Sequence, residues 1–182
     1  LQAAPPNIER VTEILADIRN DDRRAADIIN HFRGLLKKSE ALEMKELDVN
    51  DVVRNTLRII DSEAMKRGVS LSTSHAERSL PVLADQVHLE QVILNLAING
   101  MDAMQNCAAG SGKMSIETAL AGDPEVEVSI ADSGTGIPAD KLNTVFREFT
   151  RLDEGAREAQ GLGLGLSIVD RIARVLRLEI QI

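Results

Sequence analysis

The strings KMSIETAL and VEVSIAD, residues 113–120 and 126–132, alternate apolar and polar side chains on either side of the turn-forming string AGDP. Period-two alternation in two neighbouring runs joined by a turn predicts an antiparallel hairpin with one face buried. A sheet that is apolar on one face must be covered by helices or by another sheet. The flanking sequence offers helices. LEQVILNLAINGMDAM, 89–104, follows a capping Asp85, and LGLSIVDRIARVL, 164–176, is strongly amphipathic.

KELDV suggests a short strand, and Asn50 or Asp51 can cap a helix running to about Lys66. GVSLSTS alternates as a strand does, and LPVLA can form another. NCAAGSGK is a loop, residues 140–149 can form a short helix, and RLEIQI reads as a final strand. The expected fold class is α+β, a two-layer α/β sandwich with helices on one face of a mostly antiparallel sheet.

Ahead of this lies a different pattern. Ile8, Val11, Leu15, Ile18, Asp22, Ala25, Ile29, Phe32 and Leu36 alternate spacings of three and four, with Ile14, Ile28 and Leu35 widening the stripe. That is a heptad seam with one polar interruption, on a helix expected over 7–38. A lone helix cannot bury such a face, so the seam predicts a partner helix, in a dimer or a hairpin, or packing against its own domain. The polar KSEALEMK connects this helix to the first strand, giving an expected boundary near residue 44: 1–44 as a helical segment and 45–182 as the sandwich.

Composition removes several function classes. The formal net charge of -8 argues against a general nucleic-acid surface. Apolar runs such as VILNLAI are interrupted far short of the roughly 18 residues that span a bilayer. No signal peptide is visible. A single cysteine, Cys107, leaves no internal disulfide framework and no cysteine-based zinc site. These features point to a cytoplasmic domain, whose ends look cut from something longer. There is no Trp or Tyr and only three Phe, so the core must be aliphatic.

Three stretches carry chemistry. Asn95 and Asn99 are one helical turn apart and share a face. Asparagine is a poor residue inside a helix because its side chain competes for backbone hydrogen bonds. Two of them amid aliphatics must be satisfied by something. Their amide oxygens are hard ligands that suit Mg²⁺ beside phosphates, or else they bond neighbouring strands. Asp132 ends a strand, where its carboxylate can be held rigidly. It can accept from an exocyclic amine such as that of adenine, and it would repel the carbonyl oxygen of guanine. Gly134 and Gly136 would let bare backbone approach a flat ring; the plain alternative is a turn. GTGIPA also matches the G-x-G-x-x-A dinucleotide pattern formally, but too little chain comes after it for that fold, and Pro138 interrupts the turn. Gly161, Gly163 and Gly165 open a helix, where free amides can bind phosphate, although a glycine-rich hinge has the same composition.

In combination the order is specific. Asn-x-x-x-Asn on a helix, D-x-G-x-G-I, F-x-x-F at Phe146 and Phe149, and G-L-G-L-G-L into a helix resemble the catalytic ATP-binding domain of sensor histidine kinases. That is the Bergerat-type ATP fold shared with gyrase, Hsp90-like chaperones and mismatch-repair ATPases. The resemblance covers about 45–182, and the preceding ERVTEILADIRNDDRRAADIINHFRGLLKK resembles the second helix of the dimerisation hairpin of such kinases.

The resemblance implies roles. Asn99 would be the Mg²⁺ ligand, with Asn95 close by. Asp132, Gly134 and Gly136 would bind adenine. Phe146 and Phe149 would stand at the base of a lid, Arg151 would contact phosphate, and Gly161, Gly163 and Gly165 would lie beside the phosphates. ATP and Mg²⁺ are the implied cofactors. A response-regulator receiver domain is the implied partner, with homodimerisation through the N-terminal helix and any membrane attachment through segments outside this sequence. Hydrolytic relatives carry a glutamate where this chain has Asn95, which cannot act as a general base. ATP would therefore be held for transfer by positioning and charge rather than for hydrolysis. None of the histidines, His31, His75 and His88, stands in the His-Glu/Asp context of an acceptor. The implied activity is phosphoryl transfer to a histidine supplied elsewhere. A dimeric phosphotransfer or scaffold protein with an inactive ATP-like domain is the alternative. Asp102 stands where some members place a basic residue, and the lid region is similar to that of hybrid kinases.

Overall fold

Five strands and three helices make up the fold described by the computed structural model, which covers residues 10, 42–105, 107–108, 110–122, 124–142, 144–147 and 164–182. All of these except residue 10 belong to one compact unit, Ala41–Leu152 with Gly163–Ile182. The helix expected over 7–38, with its seam and His31, lies outside the described residues apart from Arg10.

Strand β1, Lys45–Asp48, turns directly into helix α1, Val49–Arg67. The cap is Asp48, not Asn50 or Asp51 as expected: its carboxylate accepts from Asn50 N at 2.9 Å and from Leu80 N at 3.2 Å. One side chain therefore starts the helix and ties β1 to a distant loop, a link that local capping rules do not contain. Asn50 is needed elsewhere. It is buried, its Nδ2 donates to Ala76 O and Arg78 O, and its Oδ1 accepts from Thr118 Oγ1 at 2.6 Å. Gly68 ends α1 with φ of 66°, the left-handed conformation that glycine adopts without a Cβ penalty.

Strands β2, Ser70–Ser74, and β3, Pro81–Ala84, come next. Helix α2, Gln86–Ala103, begins at the expected cap Asp85, which accepts from His88 N at 3.1 Å. Strands β4, Lys113–Leu120, and β5, Val126–Asp132, form the predicted antiparallel hairpin, and helix α3 spans Gly165–Leu176. Among the described residues the strands form two sheets rather than one. β1 pairs antiparallel with β3, and a three-stranded sheet runs β2-β4-β5. Within it β2 is parallel to β4. The chain reaches that pairing through β3 and α2, the kind of long crossover that a parallel pair requires.

The core is aliphatic, as the composition requires. Val53, Ile60, Leu80, Ile93, Met101, Met114 and Ile116 are essentially inaccessible. The apolar surface of α2 divides. Leu89, Ile93, Ala97 and Met101 join the main core under the sheet, whereas Val92, with Leu96, packs against Val169, Ile172 and Leu176 of α3. A helix clasped between a sheet and another helix needs two apolar faces.

Two elements differ from expectation. Residues 139–147, where described, form successive turns closed by Lys141 N to Pro138 O, Thr144 N to Lys141 O and Arg147 N to Thr144 O, rather than a short helix. Residues 177–182 form no strand. Ile180 packs instead against the α2–α3 cluster, so its alternating pattern is used for a one-sided contact without a ladder.

Candidate functional site

The last turns of α2 present the two asparagines. Asn95 and Asn99 are partly buried, and the Nδ2 atoms of both are shielded from solvent without a hydrogen-bond partner. A buried amide left without a partner costs roughly 1–3 kcal/mol. Of the two expected alternatives, bonding to neighbouring strands is therefore not what these amide nitrogens do. Asn99 lies against the start of α3: a Cβ on Gly165 would stand 2.6 Å from Asn99 Oδ1 and 2.8 Å from Nδ2. A side chain at 165 would have to displace the Asn99 amide, which occupies its space. Leu164, at the N-cap of α3, makes no side-chain cap bond, so among the described residues no N-cap side chain claims the first amides of this helix.

The end of β5 presents Asp132. Its Oδ1 accepts from Gly134 N at 2.8 Å, and among the described residues Oδ2 accepts no hydrogen bond. Asp132 is exposed, so this second oxygen is available. Gly134 has a more immediate reason to be glycine than approach to a ring. A Cβ there would stand 2.7 Å from Ala103 Cβ and 2.7 Å from Asp132 Oδ1. Thr135 N donates to Ala103 O at 3.4 Å, so the loop after β5 rests on the last residue of α2. Gly136 has φ of 69°, which favours glycine.

One contributor carries no motif of its own in the sequence. Gly100 is buried, and a Cβ there would meet Met114 Cε at 2.8 Å and Asp132 Oδ2 at 3.1 Å. A glycine inside a helix costs about 1 kcal/mol relative to alanine. Its place directly after Asn99 was the available signal that something approaches the helix closely there. Phe146 is partly buried within the turns after β5. Phe149, Arg151, Gly161 and Gly163 lie outside the described residues. The structure thus brings Asn99 to Gly165, and Gly100 to Asp132, on the two flanks of α2.

The sequence of residues 84–182 matches the family model described as histidine kinase-, DNA gyrase B- and HSP90-like ATPase. The chain belongs to this family. Its homologues are sensor histidine kinases, in which this domain is the ATP-binding catalytic part. The family member TmoS, a sensor histidine kinase of Ectopseudomonas mendocina, is 31% identical over 172 residues, covering 94% of this chain and 17% of TmoS. The sensor kinase CckA of Brucella abortus is 31% identical over 166 residues, covering 85% of this chain and 17% of CckA. The chain thus spans less than a fifth of either relative. Among solved structures of this family, the catalytic domain of histidine kinase ThkA superposes with a TM-score of 0.61 at 27% identity, covering 74% of this chain and 82% of that domain. Among the described residues, no helix is long and apolar enough to cross a membrane.

Proposed function

We propose that this chain is the ATP-binding catalytic part of a two-component protein-histidine kinase, and that it serves transfer of the γ-phosphoryl group of ATP to a histidine nitrogen, leaving ADP. The observation that carries this reading is the pair of shielded amide nitrogens without a hydrogen-bond partner, on Asn95 and Asn99, with Asn99 set against Gly165 at the start of α3. A polar pair left unsatisfied inside a helix fits a ligand rather than a core.

The residues present fit ATP with Mg²⁺. Asn99 would hold the metal, with Asn95 beside it, since amide oxygens are hard ligands. Asp132 Oδ2 would take the exocyclic amine of adenine, while Gly134 N–H fixes the other oxygen. Gly136 and Phe146 would line the base site, and Gly165, with Gly161 and Gly163, the phosphate end. Phe149 and Arg151 would belong to the lid, Arg151 towards phosphate. When bound, ATP supplies the phosphoryl group, and Mg²⁺ offsets its charge. Asn95 cannot accept a proton, which disfavours activation of water.

The acceptor would be a histidine other than His31, His75 or His88. A receiver domain would be the downstream partner: ThkA has been solved in complex with the response regulator protein TrrA. Dimerisation through 1–44, a boundary near residue 44 and a cytoplasmic location complete the reading.

Calorimetric titration of ATP, ADP and GTP, with and without Mg²⁺, tests it. ATP and ADP are expected to bind with Mg²⁺ dependence and GTP much more weakly. Asp132→Asn is expected to cost adenine recognition about 1.5–3 kcal/mol, the worth of a hydrogen bond to a charged group. Equal affinity for ATP and GTP would refute the role of Asp132. No phosphate transfer from ATP to a supplied acceptor helix, despite nucleotide binding, would favour an inactive ATP-like module.

A further inference from the structure

Arg67 is the last residue of α1 and lies outside the asparagine, aspartate and glycine stretches that form the nucleotide site. Its Nε donates to Glu63 Oε1, one turn back, at 2.8 Å, and its Nη1 donates to Asp102 Oδ1 on α2. All three side chains are substantially buried, exposing 20%, 24% and 32% of their surface for Arg67, Glu63 and Asp102. The Arg67 hydrogen bond is the main influence holding the Glu63 carboxyl below its usual range, and it outweighs the opposing effect of burial. A planar guanidinium fixed by one carboxylate presents its remaining donors in a set direction, which a lysine ammonium does not.

Asp102 Oδ1 also accepts from Gln105 Nε2 at 3.3 Å, and in Arg67 it has a cationic partner on another helix. Asp102 sits in the final turn of α2, where a negative charge opposes the helix dipole. That turn contains no basic residue of its own, and its C-cap, Met104, is not in the left-handed capping conformation. The next residue, Ala103, is the seat of the loop after β5. It accepts from Thr135 N, and its Cβ occupies the space that a Gly134 side chain would need. Gly134 N in turn holds Asp132 Oδ1. The ion pair and the seat are therefore adjacent residues of one helical turn.

We propose that Arg67 is a positioning residue for the nucleotide site: by clamping Asp102 it fixes the last turn of α2, so that Ala103 seats Gly134 and Thr135 and the Asp132 carboxylate is presented to its ligand. The inference rests on the reading of Asp132 as the adenine acceptor. It makes a distinctive demand. The clamp acts on the base end of the site, so its loss must weaken adenosine, ADP and ATP by the same factor.

The experiment is calorimetry of the intact chain with adenosine, ADP and Mg²⁺-ATP, for the wild type, Arg67→Met, Arg67→Lys and Glu63→Gln, with thermal unfolding of each ligand-free protein. Arg67→Met is expected to lower all three affinities about 3- to 10-fold, and Arg67→Lys is expected to restore part of the loss. Glu63→Gln, which leaves the Arg67–Asp102 contact in place but frees the fork, is expected to lie between wild type and Arg67→Met, and it serves with Arg67→Lys if the methionine variant does not fold. Unchanged affinities in folded variants, whatever their melting temperature, overturn the proposal. So does a loss confined to ATP, which would place the effect at the phosphates. If the wild type binds none of the three ligands, the nucleotide reading itself fails; if it binds them and the variants match it, only the role of Arg67 fails.

Discussion

Asn99 and Gly165 touch across the junction of α2 and α3: the amide of Asn99 fills the volume that a side chain on residue 165 would take, 2.6 Å from the position of its Cβ. Two elements far apart in the chain thus meet at one polar group, at the start of a helix without a side-chain cap.

That contact makes Gly165 sensitive to substitution. Gly165→Ala must push the Asn99 amide or the start of α3 aside, because 2.6 Å is shorter than side chains tolerate. Alanine favours a helix by up to about 1 kcal/mol over glycine, so stability is expected to change little. Affinity for Mg²⁺-ATP is expected to fall about tenfold, which corresponds to about 1.4 kcal/mol. Thermal unfolding beside nucleotide titration separates the two effects.

Asn99→Ala removes a buried amide whose nitrogen has no partner. The ligand-free protein should then melt at the same temperature or slightly higher, since about 1–3 kcal/mol of unsatisfied polarity is relieved while some packing is lost. The Mg²⁺ dependence of nucleotide binding should disappear. A marked fall in ligand-free melting temperature would mean that the amide supports the core instead.

Acid stability should depend on Asp85. Burial opposes its charge, but the nearby His88 side chain, hydrogen bonds from His88 N and from Glu43 N, and the charge of His88 outweigh burial and bring the carboxyl down to about 2. The Glu43 N bond to Oδ2 is 3.0 Å, and His88 Nδ1 approaches Oδ1 at 2.9 Å. A carboxyl with a lower pKa when folded contributes stability that is complete above its unfolded value of 3.8 and is lost as pH falls towards about 2. The contribution is about 2 kcal/mol. Urea unfolding at pH 5 and at pH 2.5 should show a larger acid loss for the wild type than for Asp85→Ala. Equal losses would mean that other carboxylates dominate the acid limb.

Arg177 ends α3 with φ of 57°, the only positive φ at a non-glycine position among the described residues. A left-handed residue with a Cβ costs about 1–2 kcal/mol, of which glycine's unfolded-state entropy takes back about 0.5–1. Arg177→Gly is therefore expected to raise stability by about 0.5–1 kcal/mol, visible as a higher melting temperature. No change would mean that the arginine side chain contributes as much as its backbone costs.

Local pattern was enough for the parts of this protein whose cause is local. Alternation in 113–120 and 126–132 gave the β4–β5 hairpin, Asp85 gave the start of α2, and the apolar stripe of 164–176 gave α3, because strand and helix periods and caps are set by residues within a turn of one another. The identities of Asn95, Asn99 and Asp132 as chemically unusual residues were equally legible, since asparagines inside an aliphatic helix and a carboxylate at a strand end are conspicuous without any partner. Tertiary structure alone decided the rest. That β2 runs parallel to β4, that α2 divides its apolar residues between a sheet and α3, and that Asp48 rather than Asn50 caps α1 all depend on groups more than thirty residues away, such as Leu80 and Thr118. The same holds for Gly100 against Asp132, Asn99 against Gly165, and Arg67 on Asp102. Periodicity says which side chains must leave water; it does not say which surface receives them, because that choice is made by packing and hydrogen bonding between segments whose separation in sequence carries no local signal.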